Sequence, residues 1–254
     1  MKLIIGRKPV FEALNSDEQI SQVYILFGQE GGIINAIRVA AKKRGIKINQ
    51  IPQDKFRQLV KDKNAQGVIA VKSSQKFYTL QEIIEFSKNK NLQTHSFNKS
   101  LSEVPLLLIL DSIQDTHNVG AILRTAECSG VDGVIVTKHN SAPINETVAK
   151  TSTGASELVK ICQVNNLANT IDELKKEGFW IVGSYLGNSK PYTEVDYKIP
   201  IALIVGNEEK GIRKLTADKC DFLVHIPMKG KIQSLNVSVA TGILLFEILR
   251  QRSS

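Results

Sequence analysis

Three short stretches concentrate side chains able to hold and align a reacting molecule: "DSIQDTHNVG" (111–120), "GNEEKG" (206–211) and "MKGKIQSLN" (228–236). Each mixes amides or carboxylates, which form directional hydrogen bonds, with glycine or serine, which let a backbone approach a ligand closely. Taken singly, each has a plainer use. Asn118 suits a helix N-cap and Gly206 a tight turn, and caps and turns prefer these same residue types. Their recurrence directly after three apolar runs, "LLLIL" (106–110), "IALIV" (201–205) and "FLVHIP" (222–227), is harder to assign to caps alone. Open α/β sheets bind ligands at the carboxyl ends of their strands, and the joint pattern points to one site there.

Absent motifs narrow the chemistry. No GxGxxG follows the first strand of either half, and neither GxxxxGK[ST] nor GxSxG occurs. A dinucleotide cradle, a nucleoside-triphosphatase loop and an esterase elbow are thereby disfavoured. His95, His117, His139 and His225 show no metal-ligand spacing, so no metal is expected. His225 lies in an apolar run and reads as a satisfied core residue. Cys128, Cys162 and Cys220 form neither CxxC pairs nor a disulfide framework. No run of eighteen apolar residues occurs, and the start lacks the apolar core of a secretory signal. A reducing, cytoplasmic setting is the expectation.

The elements that must position these clusters are legible as period and punctuation. In the first third, "QVYILF" (22–27), "IKINQI" (46–51) and "GVIAV" (67–71) read as strands, and "DKFRQLVKD" (54–62) as a short helix. A helix over 33–45 puts Ile33, Ile37, Ala40 and Ala41 on one face and ends at Gly45. Residues 77–104 read as a linker: "TLQE" (79–82) is a capping box opening a helix, and "NLQTHSFNKSLSE" (91–103) has no apolar period. From 105 onward, strands over "LLLIL", "GVIV" (133–136), "ELVKI" (157–161), "FWIVG" (179–183), "IALIVG" and "FLVHIP" alternate with helices. One helix follows Asn118 and stops at Gly130, one opens with the capping box "TIDE" (170–173) and stops at Gly178, and the last carries Val237, Ala240, Thr241, Leu244 and Ile248 on one face. This alternation predicts an α/β fold: a mostly parallel sheet over 105–254, preceded by a small α/β unit over 1–76.

Charge separates the two parts. Residues 1–76 hold 14 Lys+Arg against 6 Asp+Glu, whereas residues 77–254 hold 19 of each, so the whole net charge of +8 sits in the small unit. Such a field attracts a polyanion, and a merely solubilising surface is the plainer alternative.

"NVGAILRTA" (118–126), "LIVGNEEKGI" (203–212) and "IPMKGKIQSLNVSVA" (226–240) resemble, in order, the three motifs of the SpoU or TrmH-type RNA ribose 2′-O-methyltransferases. The small unit, with "QGVIAV" (66–71), resembles the substrate-binding domain of the RlmB-like branch, which acts on a guanosine of large-subunit (23S) ribosomal RNA. The resemblance implies a sheet tied into a deep trefoil knot (the SPOUT fold), S-adenosylmethionine as methyl donor, and a homodimer meeting near the last helix. It assigns the donor to Gly206, Ile226 and Leu235, with Ser234 and Asn236 nearby, and catalysis to Arg124, Asn118 and Glu208. Two positions depart from the family pattern: Thr116 stands where proline is common, and Ala65 where histidine often precedes "QG". A tRNA-directed enzyme, an antibiotic-resistance rRNA methyltransferase and a catalytically silent RNA-binding protein on this scaffold remain the alternatives.

Overall fold

Continuous apolar runs become the centre of a parallel sheet because only strands covered on both faces can consist of such residues. In the computed structural model, which describes residues 3–16, 18, 20–60, 65–72, 76–93, 104–207, 211–231 and 234–253 (side chains of 90–93 excepted), "LLLIL" becomes β6 (Leu106–Asp111), with every residue buried. The chain divides into two units: Met1–Gln75 with Pro143–Glu146, and Lys76–Ala142 with Thr147–Ser254.

The smaller unit is built on β1 (Leu3–Ile5), β2 (Ile20–Leu26), β3 (Lys47–Ile51) and β4 (Val68–Lys72), in the order β1-β4-β2-β3. β4 runs antiparallel to β1 and β2, while β2 and β3 are parallel. Helices α1 (Arg7–Asn15) and α2 (Gly32–Lys43) bury Val10, Leu14, Ile34 and Ile37 with Val68 and Ala70 of β4. The alternate residue Ile69 instead packs with Phe56 of α3 (Gln53–Leu59), Val60 and Ala65. One strand thus supplies two cores through its two-residue period. On α2 the buried face is Ile34, Ile37, Ala40 and Ala41, with Ile34 in the place expected for Ile33. β1 and α1 carry no strong sequence signal and were not anticipated by periodicity.

The larger unit has eight strands in the order β10-β12-β9-β11-β6-β7-β8-β5, and every pairing is parallel. These are β5 (Phe77–Tyr78), β6, β7 (Gly133–Thr137), β8 (Ile161–Val164), β9 (Trp180–Ser184), β10 (Lys190–Pro191), β11 (Ile201–Gly206) and β12 (Phe222–His225). The helices are α4 (Leu80–Gln93), α5 (Thr116–Cys128), α6 (Glu146–Thr151), α7 (Ala155–Leu158), α8 (Leu167–Lys176), α9 (Lys214–Ala217) and α10 (Val237–Arg252). Leu107 and Ile109 of β6 share a core with Ile83 and Ile84 of α4 and with Leu167, Ile171 and Leu174 of α8. α10 packs against α5 and β11. Its far end is held by Arg252, which is buried and donates to the carbonyls of Val104, Pro105, Tyr197 and Ile199. Burial lowers this guanidinium to about 10, against the opposing pull of the Asp132 carboxylate.

Three local expectations are corrected. The helix expected to open at "TIDE" begins one turn earlier: Asn166 caps α8 by accepting from the Asn169 N–H, and Thr170 turns its hydroxyl back to the Asn166 carbonyl. The asparagine is the better cap, so Thr170 falls inside the helix. "ELVKI" splits, because Glu157 and Leu158 finish α7 after the left-handed Gly154, and only Ile161 begins the strand. Residues 77–93, expected in a linker, form β5 and α4 of the larger unit; β5 pairs with β8, and Thr79 and Glu82 form the reciprocal capping box. Residues 94–103 lie outside the described residues.

Candidate active site

Because every strand of the larger sheet runs the same way, the carboxyl ends of β6, β9, β11 and β12 gather along one edge. In-register pairing sets Gly206 beside Asp111 and Ser184 beside Val224. A cavity of ≈ 570 Å³ opens at that edge. Its walls include Tyr185 after β9, Gly206 and Asn207 at the end of β11, Ile226 after β12, and Ser234 and Leu235 before α10. The volume is that of a pocket for a small organic ligand, and its lining is mostly apolar with a few polar groups.

Gly206 is required here by crowding. A β-carbon on it would collide with the backbone of Gly211 and Ile212. Gly211 is held against Asn207 by Asn207 N–H to the Gly211 carbonyl at 3.1 Å and Gly211 N–H to the Asn207 carbonyl at 2.8 Å. Asp111 anchors the segment that follows. Fully buried at the end of β6, it accepts from the Arg213 backbone N–H (3.1 Å) and the Thr216 hydroxyl (3.0 Å). Arg213 Nε reaches its other oxygen at 2.8 Å. The buried carboxylate therefore has both a charge partner and hydrogen-bond donors, the condition under which such burial is tolerated.

The polar start of α10 meets the start of α5. Asn236 caps α10 by accepting from the Ser238 N–H at 2.9 Å, and its Nδ2 donates to Asn118 Oδ1 at 3.0 Å. Asn118 itself is not a cap: Asp115 takes that position, accepting from the His117 and Asn118 N–H groups. The carboxylate three residues earlier fits the first turn of α5, which leaves the Asn118 side chain for Asn236. Thr116 stands at the first position of α5.

Of the residues expected to hold a ligand, Gly206, Ile226, Ser234 and Leu235 line the cavity, whereas Asn236 bonds to Asn118 beside it. Arg124 is exposed on α5 and has no hydrogen-bond or ion-pair partner among the described residues. Glu208 lies outside the described residues. His225, expected in the core, is half-buried, lines the cavity and bonds through Nδ1 to the Ser189 hydroxyl at 2.9 Å. It is the last residue of β12, at the carboxyl edge of the sheet where the cavity opens. Tyr185 escaped sequence reasoning, and Asp111 and Asn207 stand in the quoted clusters without a role of their own. Only Asp111 carried a signal, an acid closing an otherwise wholly apolar strand. Among the described residues, no cluster of three or more His, Cys, Asp or Glu could hold a metal ion, and no helix is long and apolar enough to cross a membrane.

A family model described as the SpoU rRNA methylase family matches residues 105–246, which span the sheet, the cavity and most of α10. The chain belongs to the SpoU rRNA methylase family. A second model, described as RNA 2′-O ribose methyltransferase substrate binding, matches residues 3–78. YacO of Bacillus subtilis, assigned by its name to the TrmH family of tRNA/rRNA methyltransferases, is 36% identical over 98% of this chain and 96% of its own length. The crystal structure of an AdoMet-bound rRNA methyltransferase from Sinorhizobium meliloti shares the fold, with a TM-score of 0.60 at 24% identity over 98% of this chain and 86% of that one. A TrmH/SpoU tRNA-modifying enzyme of A. aeolicus has a TM-score of 0.55 at 35% identity over 68% of this chain and 82% of its own. As a SpoU-family member the chain is an RNA methyltransferase, and its cavity lies within the residues that the family model matches.

Proposed function

We propose that this SpoU-family chain transfers the methyl group of S-adenosylmethionine to a ribose 2′-hydroxyl of ribosomal RNA, a guanosine of the large-subunit (23S) rRNA being the expected target. One observation carries the reading: the Asn236–Asn118 hydrogen bond joins the third motif to the first directly beside a ligand-sized cavity. The lining fits the donor. Apolar Ile226, Leu235 and Val237 offer surface to a nucleoside, while Asn207, Ser234 and the strand-end backbone offer hydrogen bonds. When bound, the donor supplies an electrophilic methyl group on a sulfonium.

The protein must align a hydroxyl with that methyl and help it lose its proton. A guanidinium stays protonated in proteins, so Arg124 does not act as the base. Its exposure, with no partner among the described residues, supports a role in holding a backbone phosphate or the oxygen as negative charge develops. Asn118, fixed by Asn236, orients the ribose or Arg124. Glu208 is the carboxylate proposed to accept the proton.

The small unit carries the net positive charge of the chain, which supports RNA recruitment. On α10, Val239 and Phe246 are each 50% exposed and lie seven residues apart on one face, which supports pairing of two copies along that helix. A knotted C-terminal part of the sheet, cytoplasmic location and a metal-free reaction belong to the same reading.

The test exploits the chemistry of RNA. Alkali cleaves RNA through its free 2′-hydroxyl, so a 2′-O-methylated nucleotide leaves an uncut linkage. Purified protein, labelled donor and deproteinised rRNA should yield label in alkali-resistant dinucleotides, and Arg124→Ala should abolish this while donor binding by calorimetry persists. Label confined to alkali-sensitive mononucleotides would move the methyl to a base and refute the ribose assignment.

A further inference from the structure

We propose that a second cavity, wholly within the smaller unit, receives an unpaired nucleobase of the RNA substrate. The proposal rests on the RNA-methyltransferase reading above and gives the basic unit a defined contact in addition to its charge. The cavity, of ≈ 1020 Å³, opens at the end of β2 between the start of α1, helix α3 and the turn at 65–67. Its apolar part comes from Phe56, Val60 and Ala65, which are all buried. Its polar part is three glutamines and two arginines, with no carboxylate among the described lining residues: Gln29, Gln53, Gln66, Arg7 and Arg57.

These groups are not equivalent. Arg7 is spent on positioning: its Nε donates to the Gln66 carbonyl at 3.1 Å, and its guanidinium also donates to Gln29 Oε1. That bond occupies the Gln29 oxygen and leaves its amide hydrogens as donors toward the cavity. Gly67 makes room for Gln29, since a β-carbon there would come within 2.7 Å of the glutamine side chain. Gln66 holds φ 48°, a conformation uncommon for a residue other than glycine, in the same turn. By contrast, the side chains of Gln53 and Arg57 have no hydrogen-bond or ion-pair partner among the described residues.

Planar bases present apolar faces and edges of mixed donors and acceptors, and a carboxamide matches such edges with both. Single-stranded RNA is recognised by aromatic stacking together with hydrogen bonds to base edges freed from pairing. An apolar floor, the glutamine amide hydrogens, and a Gln53 amide and an Arg57 guanidinium without partners among the described residues supply the apolar contact, the edge hydrogen bonds and a charge for the flanking phosphate. Duplex RNA keeps its edges paired and its bases stacked, so it satisfies only the charge.

Fluorescence anisotropy with the full-length protein tests this on four probes: short single-stranded oligoadenylate, oligouridylate, a fully paired RNA duplex and free AMP. At least one single strand should bind more tightly than the duplex and than AMP. Gln53→Ala, at an exposed position that does not threaten the fold, should weaken that single strand by about 5- to 150-fold while leaving duplex binding and the salt slope unchanged. Arg57→Gln should instead reduce the slope of log affinity against log salt by about one. Equal losses on duplex and single strand, no loss, or tighter binding of AMP than of the oligonucleotides would overturn the proposal. Calorimetry of S-adenosylmethionine on the same variants keeps the two readings apart. Failure of the wild type to bind the donor refutes the methyltransferase assignment, whereas intact donor binding with no single-strand preference refutes the base pocket alone.

Discussion

Gly206→Ala tests the geometry of the active-site cavity most sharply. The added β-carbon cannot coexist with the Gly211 and Ile212 backbone, so β11 and that backbone must separate. Overpacking of this kind costs about 1–3 kcal/mol. Separation also removes the paired Asn207–Gly211 backbone hydrogen bonds, at about 0.5–1.5 kcal/mol each, giving roughly 2–6 kcal/mol together. This cost has two places to appear. If the free protein keeps the two segments together, it appears as lost stability, with about 2–4 °C in Tm for each kcal/mol. If the segments part instead, the donor must rejoin them, and affinity falls by about 30-fold or more. The sum of the stability loss and the binding loss is therefore the predicted quantity, measured by thermal denaturation and by calorimetric titration with S-adenosylmethionine. Gly211→Ala is the control. Gly211 has φ +64° with open space around its β-position, so alanine there costs only left-handed strain of about 1–2 kcal/mol. Wild-type Tm and wild-type donor affinity in Gly206→Ala, or a larger total effect for Gly211→Ala, would refute the argument.

Other expectations are more local. Thr116→Pro should leave activity intact and raise stability by about 0.4–1 kcal/mol in chemical denaturation, because the first helical position tolerates proline and the unfolded chain loses freedom; a destabilised variant would mean that the entry to α5 is misjudged. In a double-mutant cycle, Asn118→Ala and Asn236→Ala should couple by about 0.5–1.5 kcal/mol in methyl-transfer efficiency, whereas strict additivity would show that the 3.0 Å bond has no role in the reaction. Arg252→Ala should cost about 3–5 kcal/mol in denaturant unfolding by leaving four carbonyls without their charged donor, and a loss under 1 kcal/mol would contradict that anchoring role. Burial raises the Cys162 thiol to about 11 and the Cys220 thiol to about 12, so both stay protonated at pH 8 while exposed Cys128 alone reacts rapidly with a thiol reagent. In denaturant all three should react, and equal native rates would exclude the buried placement. The sign for stability follows: these raised values favour the native state below about pH 8.5, and their contribution fades as pH climbs toward 11–12.

Sequence period located the large sheet well because its strands are buried on both faces. β6, β7, β9, β11 and β12 fall on the runs that predicted them. Segments held by few apolar residues were harder to read. β5 and β10 are two residues long and exist only through pairing with β8 and β12, contacts that no local window contains. Capping chemistry was ambiguous for a related reason: "DTHN" and "NLANT" each offer three residues able to cap, and the caps are Asp115 and Asn166 rather than Asn118 and Thr170.

The candidate site was legible as types but not as relations. Polar residues after three separate strands announce themselves because they interrupt apolar runs, and the parallel sheet then brings their ends to one edge. The pairing of Asn236 with Asn118 spans 118 residues of sequence and depends on α10 returning across α5. The same return places Val237 and Ala240 on the cavity wall while Leu244, Leu245 and Ile248 are buried along α10. One helix therefore ties the candidate site to core packing. A substitution deep on its buried face, such as Leu245→Ala, should lower stability and shift the position of Asn236 together, whereas a change at exposed Phe246 should leave both intact and act only on pairing of two copies. Sedimentation of Phe246→Glu checks the second half of this statement. A variant that sediments as wild type would place the proposed dimer face elsewhere, and a variant that loses donor binding as a folded monomer would show that the pocket is completed by a second chain.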